Sequence, residues 1–211
     1  MKTNFLLRLI ALSELFICDI KTIKDLHPFS SLSKREVERV FSRALLQKSL
    51  NILYGFETMP EILFEQNGKP RFKEFSDIHF SLSHSGNFVA AAISENPCGV
   101  DIELKRQRSE RFIGKIIENE TVDADFYELW CLKEAYFKLK GTGDLRRSSG
   151  IYAENGKFFG PDGNSVGKLY NVVPGYALAL FSSSAEPMPE LSVISYEELI
   201  DAAVLMLDTS A

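Results

Sequence analysis

The chain has 211 residues, a length that fits one large domain or two small halves with a shared core. Its hydrophobic fraction of 45% and charged fraction of 25% are ordinary for a globular protein and exclude a fibrous or disordered chain. The net charge of -5 argues against a nucleic-acid-binding surface. The apolar segment 1–18 contains Arg8 and Glu14, and it is too short and too charged to span a membrane. We therefore interpret it as a buried strand of a cytoplasmic protein.

The first predicted helix begins at Ser33, where Ser33 and Glu36 match a capping box that satisfies free backbone N–H groups of the first turn. Apolar residues recur at helical spacing from Val37 onwards. We expect this helix to run to about Leu53 and to stop at Gly55. Basic residues lie along its first turns, and they either form a solvated face or meet anionic phosphates: Lys34, Arg35, Arg39 and Arg43.

Short strands separated by turns follow, and their alternation of apolar and polar residues predicts an antiparallel meander over 61–104. A second helix is predicted over 125–139, with Gly141 as its stop. The pair Asn155-Gly156 then indicates a hairpin. Further strands at 176–182 and 191–194 precede a terminal helix over 195–207.

This order of elements predicts an α+β protein built of two similar halves, each a helix packed on a small antiparallel sheet. We divide the chain into an N-terminal half, 1–104, and a C-terminal half, 105–211, which carries the extra terminal helix. No linker composition separates the halves, so they are expected to pack as one body. The three cysteines, Cys18, Cys98 and Cys131, are far apart in the sequence and are expected to be reduced thiols.

The stretch 99–103, Gly-Val-Asp-Ile-Glu, carries the first chemical signal. Residues two apart on a strand face the same side, so Asp101 and Glu103 present two carboxylates together. Such a pair suits a hard divalent cation, although an exposed acidic strand face would have the same sequence. On the second helix, Trp130, Glu134 and Lys138 share one face, which by itself is equally typical of a surface ion pair.

A third group, Phe-Ser-Leu-Ser-His-Ser-Gly at 80–86, places a histidine and hydroxyls at a strand end beside a glycine turn. The sequence has no Gly-x-Ser-x-Gly elbow, Walker loop or dinucleotide fingerprint. Any phosphate site must therefore use scattered side chains.

Taken in order, four motifs closely resemble the Sfp-type 4′-phosphopantetheinyl transferases: Asn-Gly-Lys-Pro at 67–70, the 80–86 stretch, the 99–103 stretch, and Trp-Cys-Leu-Lys-Glu-Ala at 130–135 followed by Lys138. The motifs span about a third of the chain. The resemblance implies the 4′-phosphopantetheinyl transferase fold of two pseudo-symmetric α/β halves. It also implies an enzyme of the holo-[acyl-carrier-protein] synthase type, which moves phosphopantetheine from coenzyme A to a carrier-protein serine and releases 3′,5′-ADP.

The same resemblance implies a Mg²⁺ ion, with Mn²⁺ as an alternative, held by Asp101, Glu103 and Glu134. Glu134 and Lys138 are the implied catalytic residues, with Lys138 beside the pyrophosphate. The implied contacts to coenzyme A are Arg43, Lys69, Ser83, His84, Lys133 and Lys138. Ala44 stands where some relatives have a hydroxyl that contacts coenzyme A. The general base stays open between Glu118, Glu120 and Glu134.

The implied partner is an acyl or peptidyl carrier protein, typically acidic around its modified serine. A basic stretch after the acidic strand either complements it or is a solvated loop: Lys105, Arg106, Arg108, Arg111 and Lys115. We expect a monomer, with no nucleic acid and no membrane as partners. Two alternatives stay open: a non-catalytic homologue that binds coenzyme A or carrier protein, and a different metal-dependent phosphotransferase or hydrolase acting on nucleotides.

Overall fold

The computed structural model describes residues 13–21, 28–117, 122–141, 150–171, 173–184 and 188–208, without the side chains of 115–117 and 208. Its strands are β1 (Ser13–Asp19), β2 (Ile62–Phe64), β3 (Pro70–Phe72), β4 (His79–Ser85), β5 (Phe88–Ser94), β6 (Cys98–Leu104), β7 (Tyr152–Glu154), β8 (Lys157–Phe159), β9 (Val166–Leu169), β10 (Tyr176–Ser182) and β11 (Leu191–Val193). Its α-helices are α1 (Lys34–Tyr54), α2 (Glu110–Ile117), α3 (Phe126–Lys140) and α4 (Tyr196–Asp208), and a short 3-10 helix covers Phe29–Ser31.

The helix boundaries follow local chemistry, as predicted. Ser33 and Glu36 form the expected capping box at the start of α1, and Gly55 ends the helix with a φ of 73°. Asp125 caps α3 in the same way, and Gly141 ends it with a φ of 64°. The hairpin between β7 and β8 turns at Asn155, which has a φ of 51°. Helix α2 was not predicted from the sequence.

The two larger sheets and their helices form four layers, and β2 and β3 pair as a separate two-stranded sheet. The first sheet has the order β11-β1-β5-β4, and the second has the order β6-β10-β9-β8-β7. On β1, Phe16 and Cys18 pack with α1 and α4, while Leu15 and Ile17 face the second sheet. On β10, Leu178 and Leu180 face the first sheet, and the neighbouring residues pack on α3. The two sheets therefore meet face to face. Helices α1 and α4 cover the outer face of the first sheet, and α3 covers the outer face of the second.

The mixed α+β class is confirmed, with a long helix on the outer face of each larger sheet. The division at residue 104 stays a prediction, and strand pairing crosses it in both directions. Strand β6 pairs with β10 in the second sheet, although its residues precede the division. Strand β11 returns to the first sheet and pairs with β1 in parallel. The expectation of a purely antiparallel sheet was therefore wrong for this sheet.

The other structural expectations for the chain concern its termini and its thiols. Strand β1 confirms a buried strand in the N-terminal segment, while residues 1–12 lie outside the described residues. Cys18, Cys98 and Cys131 are buried free thiols. Among the described residues, none of the helices has the length and apolarity needed to cross a membrane.

Candidate active site

Strand β6 and helix α3 lie in direct backbone contact, and this contact builds the site. A Cβ atom on Gly99 would stand 2.1 Å from the Ala135 carbonyl oxygen and 2.4 Å from the Leu139 nitrogen. Only a glycine lets the helix come this close. The helix therefore lies directly over the face of β6 that carries Asp101 and Glu103.

Asp101 is the centre of the site. The residue is 5% exposed, and its Oδ1 atom accepts hydrogen bonds from Lys138 Nζ at 2.8 Å and from Ser83 Oγ at 2.8 Å. Its Oδ2 atom is buried and has no hydrogen-bond partner among the described residues. A buried carboxylate oxygen without a partner costs free energy, and a bound cation would remove that cost.

Glu134 and Lys138 occupy successive turns of α3 beside this carboxylate. Lys138 Nζ also donates to the Val100 carbonyl at 3.0 Å. The pKa of Glu134 is raised to about 7, first by burial and then by the negative charge of Asp101, with a smaller contribution from Glu103. Lys138 opposes this shift without cancelling it. The cluster therefore holds more negative charge than one ammonium group neutralises.

Serine hydroxyls of β4 connect the first sheet to this acidic strand. Ser85 Oγ donates to Glu103 Oε2 at 2.8 Å, as Ser83 does to Asp101. The same hydroxyls, together with that of Ser81, accept hydrogen bonds from backbone N–H groups of β6. The three pairs are Ser81 with Val100, Ser83 with Ile102 and Ser85 with Leu104, at 3.0, 3.3 and 3.1 Å.

The donors of this cluster fit a hard divalent cation. All are carboxylate oxygens, the ligands that Mg²⁺ prefers, and Asp101 Oδ2 is unpartnered within the described chain. Within the described residues, no three acidic, histidine or cysteine side chains already stand as a preformed metal-binding group. The chemistry of Asp101, Glu103 and Glu134 therefore fits a cation, although the three carboxylates are not gathered into a coordination shell.

A basic pocket of about 640 Å³ lies between α1 and the end of β4. It contains two of the predicted coenzyme A contacts, Arg43 and His84. Ser42 also lines it, and the buried Ser42 hydroxyl has no hydrogen-bond partner among the described residues. His84 Nδ1 lies 3.3 Å from Glu38 Oε2, which holds the ring at the pocket wall. The full lining is Arg35, Glu36, Arg39, Ser42, Arg43, Leu82 and His84.

Sequence reasoning singled out Arg43 as the phosphate contact of this pocket and gave Arg35 and Arg39 only as part of a basic run. Their spacing of four residues along α1 is a signal that places all three on one helix face. Ser42 was not predicted as a contact, because nothing in its sequence context shows that its side chain lies beside a pocket.

The remaining predicted contacts to coenzyme A lie elsewhere. Lys69 donates a hydrogen bond to the Leu139 carbonyl at the end of α3, and burial is the main cause of its lowered pKa. It lines a second cavity of about 310 Å³ with His79 and Lys140. Lys133 is only 4% exposed. The described lining of the basic pocket includes neither Lys69 nor Lys133.

Only some of the predicted general bases and docking residues lie in the described part of the chain. Glu118 and Glu120 lie outside the described residues, as does the side chain of Lys115. Lys105 forms salt bridges with Asp125 and Glu128. The arginines at 106, 108 and 111 are exposed, and Tyr127 holds this segment because its hydroxyl donates to the Arg106 carbonyl at 2.7 Å.

The structure combines a buried carboxylate that is paired with an ammonium and a separate basic pocket beside α1, and both kinds of group can bind phosphate esters. Comparison with known proteins shows the family to which the chain belongs. The chain is 30% identical to the 4′-phosphopantetheinyl transferase psf-1 of Bacillus pumilus, over 85% of this chain and 90% of the relative. It is 31% identical to the 4′-phosphopantetheinyl transferase Sfp of Bacillus subtilis, over 64% and 69% of the two chains.

The 4′-phosphopantetheinyl transferase AcpT of Escherichia coli O157:H7 is 35% identical over 47% of this chain and 55% of its own length. No family model matches the chain. The match to the Bacillus pumilus enzyme covers most of both proteins, so the chain belongs to the family of Sfp-type 4′-phosphopantetheinyl transferases.

Proposed function

We propose that this protein transfers 4′-phosphopantetheine from coenzyme A to a serine of an acyl or peptidyl carrier protein and releases 3′,5′-ADP. The observation that carries the proposal is the buried Asp101, which is paired with Lys138 and keeps one oxygen unpartnered within the described chain. The acceptor is a carrier-protein serine, so the reaction is of the holo-[acyl-carrier-protein] synthase type. The expectation of a monomeric cytoplasmic enzyme stays a prediction.

Asp101, Glu103 and Glu134 would hold Mg²⁺, with Mn²⁺ as an alternative ion. When bound, the ion supplies positive charge to the phosphate oxygens as the pyrophosphate bond breaks. Lys138 is fixed by Asp101 and the Val100 carbonyl, so its ammonium is positioned before substrate arrives. A positioned ammonium beside the pyrophosphate stabilises the leaving group because it needs no reorganisation during the reaction.

The carrier serine oxygen forms a bond to the β-phosphorus of coenzyme A, and the bond from that phosphorus to the bridging oxygen breaks. The bridging oxygen leaves with 3′,5′-ADP, and the serine proton passes to a base. Glu134 has a pKa near neutrality, which suits this role in the free protein. A carboxylate that ligates the cation is a poor free base, so Glu118 and Glu120 stay candidates.

The basic pocket supports the proposal from the substrate side. Arg43 and His84 line it together with Ser42, whose hydroxyl has no hydrogen-bond partner among the described residues. These donors suit a phosphate monoester such as the 3′-phosphate of coenzyme A. We propose that Ser42 supplies the hydroxyl that Ala44 lacks. Lys69 and Lys133 stay proposed contacts to coenzyme A on the strength of the family resemblance. The resemblance also predicts a contact at Ser83, whose hydroxyl donates to Asp101 in this structure.

The exposed arginines at 106, 108 and 111 support docking of an acidic carrier protein beside the site. Lys105 contributes less to the exposed positive charge, because it is already paired with Asp125 and Glu128. Charge reversal of Arg106 or Arg111 is expected to raise the KM for the carrier and leave the KM for coenzyme A unchanged.

The test is intact-protein mass spectrometry of a panel of apo carrier proteins incubated with the protein, coenzyme A and Mg²⁺. Wild type is expected to add one phosphopantetheine to at least one carrier, and Glu134→Ala to lose this activity. The matched control is Asp201→Ala, which removes an exposed acid of α4. If coenzyme A binds and no carrier gains mass, the protein is a non-catalytic binding homologue for that panel. Release of a hydrolysed nucleotide would indicate a hydrolase.

A further inference from the structure

The serines of β4 form a seam between two strands that belong to different sheets. Strand β4 lies at the edge of the first sheet, and β6 lies at the edge of the second. Ser81, Ser83 and Ser85 alternate along β4 and therefore point to the same side, towards β6. Each serine oxygen accepts a backbone N–H of β6. Side chains thus take the place that backbone carbonyls have in an ordinary sheet.

Two of these serines make a second contact that the third lacks. Ser83 and Ser85 donate to Asp101 and Glu103, each at 2.8 Å. For Ser81 the described residues show the backbone contact to Val100 and no carboxylate contact. The seam alone therefore does not need the hydroxyl protons of Ser83 and Ser85. Their direction towards the two acids is an additional feature.

The number of protons that each hydroxyl can donate limits which groups Ser83 and Ser85 can bind. A serine hydroxyl has one proton to donate, and its oxygen otherwise only accepts. Phosphate oxygens at neutral pH also accept. While Ser83 donates to Asp101, it has no proton left for a phosphate of coenzyme A. The buried position of Ser83, which is 6% exposed, makes exchange with an incoming ligand still less favourable.

We propose that Ser83 and Ser85 are positioning residues that fix the rotamers of Asp101 and Glu103 for the cation. The inference rests on the proposed function, because it concerns the same carboxylates. Each serine is anchored by a β6 backbone N–H and turns one carboxylate oxygen towards itself, which leaves the second oxygen for the metal. Removal of such outer partners typically costs about 10–100-fold in metal affinity. Since Lys138 also holds Asp101, we expect Ser83→Ala to cost about tenfold and Ser85→Ala more.

The experiment measures Mn²⁺ binding by loss of the free-ion electron paramagnetic resonance signal, with saturating coenzyme A and no carrier protein, so that no turnover occurs. Coenzyme A alone provides the background. Ser81→Ala is the matched control, because it breaks the seam without touching an acid. Ser85→Thr keeps a hydroxyl and is expected to bind Mn²⁺ as wild type does. Thermal unfolding of all four variants shows whether each is folded at the temperature of the titration.

The expected result is weaker Mn²⁺ binding for Ser83→Ala and Ser85→Ala, near-wild-type binding for Ser81→Ala, and an unchanged dissociation constant for coenzyme A in each. Equal losses in all three alanine variants would show that the serines only join the sheets. A raised dissociation constant for coenzyme A with unchanged Mn²⁺ affinity would make Ser83 a substrate contact instead. Absence of Mn²⁺ binding in wild type would overturn the proposal, whereas absence of carrier modification alone would overturn only the transferase function.

Discussion

Replacement of Gly99 by alanine should separate α3 from β6 and thereby damage the active site without removing any of its functional groups. The added Cβ would stand 2.1 Å from the Ala135 carbonyl oxygen and 2.4 Å from the Leu139 nitrogen. An ordinary contact between carbon and oxygen is about 3.3 Å, so the helix has to retreat by roughly 1 Å. Both obstructing atoms belong to the backbone, and no side-chain rotation relieves the clash.

Overpacking of this kind costs about 1–3 kcal/mol, and we expect a value near the upper end because a whole helix moves. A misplacement of about 1 Å between catalytic groups can cost about 100-fold in rate. Glu134 and Lys138 belong to α3 and would move with it, whereas Asp101 belongs to β6 and would not. Gly99→Ala is therefore expected to lower kcat about 100-fold under conditions where the variant is folded.

The assay combines urea unfolding with initial rates of carrier modification. The matched control is Gly114→Ala on α2, where a Cβ would meet no atom within 4 Å and where alanine should stabilise the helix by up to about 1 kcal/mol. A Gly99→Ala protein with wild-type stability and wild-type kcat would refute the reasoning. Loss of stability without loss of kcat in the folded fraction would show that the strand–helix distance does not control the chemistry.

Glu134, Arg43 and Tyr176 each give a further testable prediction. In metal-free protein, the pKa of Glu134 is raised from 4.5 to about 7, so its protonated form favours folding below pH 4.5 and this contribution is lost as pH rises to about 7. Urea titrations with a chelator should show that, between pH 5 and 8, the free energy of unfolding of wild type falls by about 1–2 kcal/mol relative to that of Glu134→Gln, a figure discounted for solvent screening. A parallel pH dependence of the two proteins would contradict the assignment. Arg43→Gln should raise the KM for coenzyme A about tenfold and leave that for 3′-dephospho-coenzyme A unchanged, and equal effects on both would exclude a contact to the 3′-phosphate. Tyr176→Phe removes the hydroxyl that accepts the Asn87 N–H at 3.0 Å, and it should lower the free energy of unfolding, measured by thermal unfolding, by about 1 kcal/mol. An unchanged stability would show that water replaces the hydroxyl.

The features that the sequence predicted well depend on neighbours along the chain. Helix α1 starts after Ser33 because its capping partner Glu36 is three residues away, and the alternation of β6 puts Asp101 and Glu103 on one face. Glu134 and Lys138 were placed correctly on one face of α3 for the same reason.

Features that depend on distant parts of the chain were not predictable. The alternation of Ser81, Ser83 and Ser85 is visible in the sequence, but its meaning depends on β6 lying opposite. The parallel pairing of β1 with β11 joins the two ends of the described chain, and no local pattern encodes it. The burial of Lys133 likewise depends on how α3 packs.

The return of β11 and α4 to the first sheet also bears on how the protein folds during synthesis. Until residues 191–208 have left the ribosome, β1 has an open edge and the apolar face of α1 that Leu199 and Ala203 cover stays exposed. The N-terminal sheet thus depends on contacts between residues far apart in the chain, which is typical of slow folding. A nascent chain that already contains the residues of the candidate site would still be prone to aggregation, and its first half should become protease-resistant only after α4 emerges.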